Sequence, residues 1–512
     1  MPWSTTISTL DVVAIHAALI CPGLRDGEIL FFGGDDHNVA NANSHDYDHT
    51  KTFSCKSPSD PLTYVSSPQW DTFCCGHAML GDGGLLIAGG TDTFPHDHTG
   101  IHTLHFTGIR KCAQWSPLYR SIQPVADMNF EPGAGARGGG RWYPTLCTLG
   151  TGEVLAFGGH PAVDDSRHSN TTPERFSQFR NSWTNLPVSI GAEPPDPVVY
   201  PRMHVLNDGD VFVSSNVPNY TMNIKFNPWT GFVNPIVVRP DIGYWGFDFP
   251  SVLLPLMPTD GYRCRILLCG QNPSQLCDLG QQHLNWQTVP RDAPWSSATR
   301  VHSSATLLPT GQVVLTGGAT RENDQVSNGN NPEIYHTPID LVNKAYLPDN
   351  VGRWEILQDP ATVTRNYHST ALLMPDGRVW TAGGNGPYQP GGPPGAKQKL
   401  IEIWQPPYPP GPRPVITSCP DQIYWGQTFQ IGVPTANDVS NVVLMRCGSS
   451  THAFNPDQRC IFLLFTKTFT TVKATAPPNS NIAPPGNYMV FVIGSSGRPC
   501  KYASFVLMSK EG

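Results

Sequence analysis

An all-β protein is predicted, built as a radial array of repeats with a smaller sandwich behind it. Three observations carry that expectation. Glycine (49) and proline (51) are abundant among the 512 residues but fall as turns between apolar runs, the pattern of a loop-rich β protein. One strand-and-turn pattern recurs seven times. After the last copy the repeat stops, and strand signals continue at a different spacing.

The repeat is a turn, a strand-like run and, in five copies, a double glycine. It reads GEILFFGGD at Gly27, GGLLIAGGT at Gly83, GEVLAFGGH at Gly152, GDVFVSSNV at Gly209, CRILLCGQN at Cys264, GQVVLTGGA at Gly311 and GRVWTAGGN at Gly377. The copies at Ser214-Ser215 and Cys269-Gly270 are degenerate. The pairs begin at positions 33, 89, 158, 214, 270, 317 and 383, so the spacing runs from 47 to 69 residues. That is near the kelch-type period of about 50. A unit of a few short strands cannot bury both faces alone, whereas seven arranged radially can. The expected architecture over residues 1–405 is therefore a seven-bladed kelch-like β-propeller, its first blade starting almost at Met1. The glycines suit a tight strand exit close to the neighbouring blade.

LIEIWQPPYPPGPRP at Leu400 reads as an outer strand followed by a proline-rich exit, which sets the boundary near Pro406. QTFQIGVP, NVVLMR, CIFLLF and NYMVFVIG follow, separated by Pro, Gly and Asn turns. They predict an Ig-like β-sandwich over residues 406–512.

Composition narrows the function classes. Lys and Arg total 33 against 40 for Asp and Glu, charged residues are 14% of the chain, and there is no basic stripe or acidic tail. Nucleic acid and anionic membrane are not expected partners. No run of 18 apolar residues exists, so no membrane span is predicted. The N-terminal stretch MPWSTTISTLDVVAIHAALICPG lacks a basic region and is interrupted by Asp11, and reads as structure, not as a signal peptide. Either the chain stays inside the cell or the numbering is that of a mature protein. The 13 cysteines are odd in number and too dispersed for a zinc pattern. At least one is free, paired between chains, or bonded to something other than sulfur.

A repeat allows positions to be compared within one chain. Counting back 15 residues from the first glycine of a pair gives Cys74, Tyr143, His302 and His368, with Tyr367 just before the last. Equivalent positions of different blades converge on the axis of a propeller, so these side chains are expected to meet there. The bland alternative is a polar plug lining the channel. Tyr, His and Cys at one point favour a redox metal, because imidazole and phenolate in a tetragonal N,O set are the preference of Cu(II). A hydrolase would need a carboxylate near a nucleophile, and none occupies this register.

At these motifs the chain resembles the copper radical oxidases, the group that contains galactose oxidase and glyoxal oxidase. DTFCCGHAML at Asp71 is similar to the motif whose cysteine, here Cys74, is bonded through sulfur to a tyrosine ring. GRWYPTLCTL at Gly140 is similar to the motif supplying that tyrosine, here Tyr143. NYHSTALLMPDGRV at Asn366 resembles the motif of an axial tyrosine, Tyr367, and an equatorial histidine, His368. CGSSTHAFNPDQR at Cys447 resembles the loop that brings a second histidine, His452, to the metal. The likeness runs from about residue 10 to the C-terminus.

The resemblance implies one copper ion held by Tyr143, Tyr367, His368 and His452, with a self-generated Cys74–Tyr143 thioether as radical cofactor. It implies oxidation of a primary alcohol to an aldehyde, or of an aldehyde to an acid, with O2 reduced to H2O2. Tyr367 would be the general base, and His160 would tune the radical from the place where galactose oxidase stacks a tryptophan. A secreted or periplasmic monomer acting on a small molecule is the matching expectation. Departures bear on the substrate. With the first blade expected almost at Met1, no carbohydrate-binding domain is expected before the propeller, and no arginine that grips sugar hydroxyls can be assigned. Arg202 in YPRMHVL is a candidate but reads as a surface-loop arginine, and His302 reads as channel lining. The loops GGHPAVDDSRHSN and GYWGFDFPS at the expected mouth carry no readable signature. Two alternatives stay open: a glyoxal oxidase-like aldehyde oxidase within the enzyme class, and a non-catalytic kelch-like propeller serving as a binding or structural module.

Overall fold

Seven antiparallel sheets follow one another along the chain. The computed structural model describes residues 2–9, 12–24, 26–33, 50–68, 70–93, 107–130, 138–162, 169–190, 198–214, 222–238, 248–281, 284–291, 299–319, 330–385 and 397–510. Each sheet is a meander in which the turn-strand-glycine element of the repeat supplies the second strand. In the third blade the order is Thr145–Thr148, Val154–Phe157, Glu174–Ser177 and Ser182–Asn185. First strands of the second, third and fourth blades pack side by side, as do those of the sixth and seventh, and that of the seventh, Ser369–Leu373, lies against that of the first, His16–Ile20, so the ring closes. The second strands are mostly apolar and almost wholly buried, as in Val313–Thr316, because each is covered by a blade on both faces.

The glycine pairs sit where one blade meets the next. A side chain on Gly89 would come within 2.3 Å of the Arg141 carbonyl at the entry to the third blade. One on Gly383 would come within 2.5 Å of the Ala14 carbonyl at the entry to the first. Both residues have positive φ, so only glycine fits without strain.

The first blade does not begin at the N-terminus. Ile7–Ser8 pairs with Leu400–Trp404 and completes the seventh blade before the chain enters the first at His16. The last and first segments of the propeller thus share one sheet, which leaves its outer strand paired instead of open.

The segment after Trp404 forms two facing sheets. One holds Gln422–Tyr424, Ser504–Ser509, Gly486–Gly494, Val439–Arg446 and Cys460–Phe462, and the other Thr428–Gly432, Thr471–Thr475 and Phe465–Thr468. Ile431, Val442, Val472 and Val490 are all buried, as an apolar layer between two sheets requires.

Between Arg446 and Cys460 the chain leaves this sandwich and enters the propeller. Ser449–Thr451 adds a fifth, innermost strand to the first blade, with Thr451 opposite His16. Asp457 is fully buried and ion-paired with Arg446. It also accepts from the Met79 N–H of the second blade (2.9 Å), the Thr148 hydroxyl of the third (3.3 Å) and the Ser449 hydroxyl. Gln458 bonds the Leu307 N–H and the Ala305 carbonyl of the sixth blade, each at 3.0 Å. Arg459 donates to the Val205 carbonyl of the fourth.

Removing one partner of a buried ion pair strands the other, at a cost of about 3–5 kcal/mol. Asp457→Ala should therefore lower unfolding free energy by about that amount, read from denaturant unfolding of copper-free protein. A change below about 1 kcal/mol would mean that Arg446 finds water or another partner.

Candidate metal centre

Five blades send a non-glycine residue with left-handed backbone into the axis at the start of the first strand. These are Cys74 (φ 60°), Tyr143 (67°), Tyr200 (40°), His302 (56°) and His368 (67°). Such conformations cost about 1–3 kcal/mol each and persist only where the surroundings impose them. In three blades the imposing device is an arginine two or three residues earlier, held by a buried glutamate. Arg141 donates to Glu174 (2.9 Å) and to the Gly158 carbonyl (2.8 Å). Arg300 donates to Glu333 (2.6 Å) and to the Gly317 carbonyl (2.7 Å). Arg365 donates to the Gly383 carbonyl (2.9 Å) and lies 3.5 Å from Glu402. Each guanidinium thus ties the strand entry to the first glycine of the pair.

His452 arrives from the opposite direction. Thr451 and Phe454 bond each other's backbone at 3.0 and 2.9 Å, with His452 (φ 45°) and Ala453 (φ 63°) as the two central residues. Positive φ at both is the geometry of a tight type I′ hairpin, so His452 stands at its tip.

The rings meet at one point. The Tyr143 and Tyr367 hydroxyls are in hydrogen-bond contact. His368 and His452 have ring centroids 4.9 Å apart at 83°. Ligand atoms of Cys74, His368 and His452 all lie within 4.8 Å of one another, with Cys74 Sγ 3.7 Å from His452 Nε2. The Tyr143 N–H donates to the Cys74 carbonyl at 2.9 Å, which ties the second blade to the third.

Both imidazoles are held in one tautomer. His452 Nδ1–H donates to Thr451 Oγ1 (2.7 Å), whose own hydrogen goes to the Ile15 carbonyl (2.9 Å). His368 Nδ1–H donates to Asn385 Oδ1 (3.0 Å). Each Nε2 is left with its lone pair, and that of His368 is buried without a partner. Burial pushes His368 down to about 4, against a smaller upward effect of the Asn385 bond. Burial, then His368, His16, His302 and Arg202, pushes His452 well below the usual range. Burial first, then Cys74, raises the Tyr367 phenol, and burial, then Asp71 and Cys75, raises the Cys74 thiol. Two neutral imidazole lone pairs, two phenol oxygens and a thiol facing one point fit a Cu(II)-type N,O donor set, with sulfur at its edge.

Other expected residues lie nearby. His160 is buried and exchanges two backbone hydrogen bonds with Trp142, at 2.6 and 2.7 Å. The indole of Trp142 stacks on the Tyr143 ring at 3.8 Å and 13°. Arg202 is not a surface-loop residue. It is fully buried and donates to the carbonyls of His452 (2.8 Å) and Phe249 (2.9 Å), because the hairpin tip ends on it. His302 packs its ring 4.6 Å from Tyr367. Of the two mouth loops, residues 163–168 and 243–247 lie outside the described residues.

Tyr200 escaped the register count. It stacks on His452 (4.4 Å), lies 4.6 Å from Tyr143 and donates its hydroxyl to the Cys75 carbonyl (2.9 Å). It stands 14 residues before Ser214, where Tyr143 stands 15 before Gly158. The shared Tyr-Pro step at 143–144 and 200–201 was the available signal.

Residues 35–408 match the family described as glyoxal oxidase N-terminus, and residues 413–506 the galactose oxidase-like early set domain. The chain is 27% identical over 463 residues to aldehyde oxidase GLOX of Vitis pseudoreticulata, covering 83% of this chain and 79% of that one. It is 25% identical over 468 residues to galactose oxidase of Gibberella zeae, covering 85% of this chain but 60% of that one. A fungal alcohol oxidase of the AA5 family, solved in complex with copper, shares the fold at a TM-score of 0.76 and 20% identity over 99% of both chains. With most of its length inside the first of these matches, the chain belongs to the glyoxal oxidase family.

Proposed function

We propose that this protein is a copper-dependent oxidase that converts a primary alcohol to an aldehyde, or an aldehyde to an acid, while O2 becomes H2O2. The observation that carries the reading is the convergence of Cys74, Tyr143, Tyr367, His368 and His452 on one buried point, with both imidazoles turning Nε2 inward, that of His368 unpartnered and that of His452 against Cys74 Sγ. A propeller used only for binding has no reason to assemble that set. Relatives named aldehyde oxidase and galactose oxidase support it, as does the copper-bound structure of like fold.

His368 and His452 would hold the metal through Nε2, with Tyr143 and Tyr367 as oxygen donors. Copper, when bound, supplies a one-electron couple and acidifies a hydroxyl beside it. Asn385 and Thr451 fix the imidazoles, and Arg202 fixes the carbonyl of His452. Tyr367 would take the hydroxyl proton of the substrate as general base. Tyr143, joined to Cys74, would take the hydrogen on the substrate carbon. A thioether ortho to the phenol oxygen makes that ring easier to oxidise. Making it removes one hydrogen from the thiol and one from the ring, and O2 accepts both as H2O2. Trp142 covers the ring face, and His160, paired with Trp142, would tune it through that contact. The propeller, residues 1–405, then carries most of the site, and the sandwich, residues 406–512, supplies one ligand. A secreted or periplasmic location goes with this reading. Among the described residues no helix is long and apolar enough to cross a membrane.

A second reading has one observation in its favour. Cys74 Sγ stands close enough to both histidines to be a thiolate ligand instead of half of a thioether. The two differ in covalent chemistry.

Copper-loaded protein tested on alcohols and aldehydes in a peroxidase-coupled assay should release H2O2, and copper-free protein should not. Loading in air should also lower the intact mass by two hydrogens and leave the peptides of Cys74 and Tyr143 joined after reduction. Cys74→Ser should fold but lose activity. Separate peptides from active enzyme would exclude the thioether and favour the thiolate.

His452→Ala should abolish the rise in Tm on copper addition that a tightly bound ligand demands. Thr451→Val, which keeps the ligand but removes the acceptor for Nδ1–H and the hydroxyl's bond to the Ile15 carbonyl, should weaken copper binding about 10–100-fold. Unchanged affinity in both would take the hairpin out of the metal site.

A further inference from the structure

The strand-entry arginines of three blades have their charge matched in place. Arg141, Arg300 and Arg365 each stand two or three residues before the left-handed residue, and each meets a buried glutamate. The fourth blade is built differently. Arg202 comes two residues after its left-handed Tyr200, and the carbonyls it bonds belong to the centre itself. Nε donates to the Phe249 carbonyl (2.9 Å), one terminal nitrogen to the His452 carbonyl (2.8 Å) and the other to the Tyr200 carbonyl (3.4 Å). The guanidinium is fully buried, 5.0 Å from the ring of Phe454, which closes the hairpin that carries His452.

A strut between carbonyls needs donors but not a full charge, since a neutral N–H bonds a carbonyl too. Arginine brings a charge that burial does not remove. That charge reaches the centre. Burial comes first in keeping His452 and His302 neutral and the neighbouring imidazoles second, and Arg202 adds to both. Burial raises the carboxyl of Asp248, which lies 3.7 Å from His302 Nε2, and Arg202 opposes that rise. A cation that disfavours a proton on a ligand also disfavours positive charge on whatever the ligand holds. Cu(II) carries one unit more than Cu(I), so the oxidised ion is disfavoured more. A unit charge about 10 Å away, at an effective dielectric constant of about 20, shifts such a balance about tenfold.

We propose that the charge of Arg202, set behind the carbonyl of His452, favours Cu(I) over Cu(II) in this centre and makes bound copper the stronger one-electron oxidant. By its hydrogen bonds Arg202 is a positioning residue, and by its charge it sets the redox balance. The proposal rests on the copper reading above and adds a determinant that lies outside the ligands.

The test compares wild type with Arg202→Met, Arg202→Lys and Asp248→Asn, as full chains at about pH 8, where carboxylates are ionised. Cu(I) affinity is measured by competition with bathocuproine disulfonate and Cu(II) affinity by competition with nitrilotriacetate. The midpoint potential is read from reductive titration of the Cu(II) EPR signal. Arg202→Met should lower the ratio of Cu(I) to Cu(II) affinity about tenfold, a fall of about 59 mV for one electron. Arg202→Lys keeps the charge but not the three-way bonding. It should hold the ratio within about threefold of wild type even where both affinities weaken. Asp248→Asn removes a negative charge from the same neighbourhood and should raise the ratio, which keeps the test open if Arg202→Met fails to fold. A ratio in Arg202→Met within about threefold of wild type would overturn the proposal. So would an equal fall in Arg202→Lys, which would make bonding and not charge the cause, or a ratio in Asp248→Asn that falls or does not move. Wild type that takes up copper in neither oxidation state would instead overturn the copper reading.

Discussion

The buried carboxylate of Asp457 is the constraint on which the rest of the molecule depends. It neutralises Arg446 at the neck of the hairpin that enters the propeller, and takes hydrogen bonds from two blades and from the hairpin itself. A charge in that position is tolerable only because every lone pair has a partner. With the neck fixed, Gln458 and Arg459 fasten the same segment to the sixth and fourth blades. The sandwich is thereby the hub of the ring and not an appendage to it, and the hairpin tip is carried to where the blades point their strand entries.

Those entries show how a repeat is turned into a site. Five of the seven blades contribute one left-handed side chain at one height, the seventh adding Tyr367 beside it. Left-handed backbone throws that side chain toward the axis, and the arginine–glutamate clamps hold the turn in the third, sixth and seventh blades. The clamps are buried ion pairs whose chief service is geometric, since their guanidinium groups satisfy strand-end carbonyls that no ladder reaches. Function then varies by changing the residue delivered: thiol, phenol or imidazole on the same scaffold.

Much of this was legible in the sequence because the repeat was. Double glycines mark contacts between blades, where a side chain on Gly89 or Gly383 would strike a neighbouring carbonyl, so their spacing reports the ring directly. Cys74, Tyr143, His302 and His368 followed from counting. What escaped has physical causes. Tyr200 missed the count because its blade has no glycine pair to count from, although it stands six residues before Leu206 as Tyr143 stands six before Leu149. Arg202 looked like a loop residue because its partner, the His452 carbonyl, is 250 positions away in sequence. The return of Ile7–Ser8 to the seventh blade leaves no signature in so short a strand. Thr451 and Asn385 act through single hydrogen bonds, and neither residue type announces such a role.

The shared seventh blade also sets an order of assembly. Residues 7–8 leave the ribosome before any of the blades but have no strand to join until residues 400–404 follow. The hairpin that fills the axis comes later still. During synthesis the early blades must therefore wait as an open arc with an uncovered inner rim, and His452 is the last of the converging residues to arrive. On the proposed ligand set, an ion captured before then would meet only part of its donors, so secure metal uptake would wait until the ends of the ring have met.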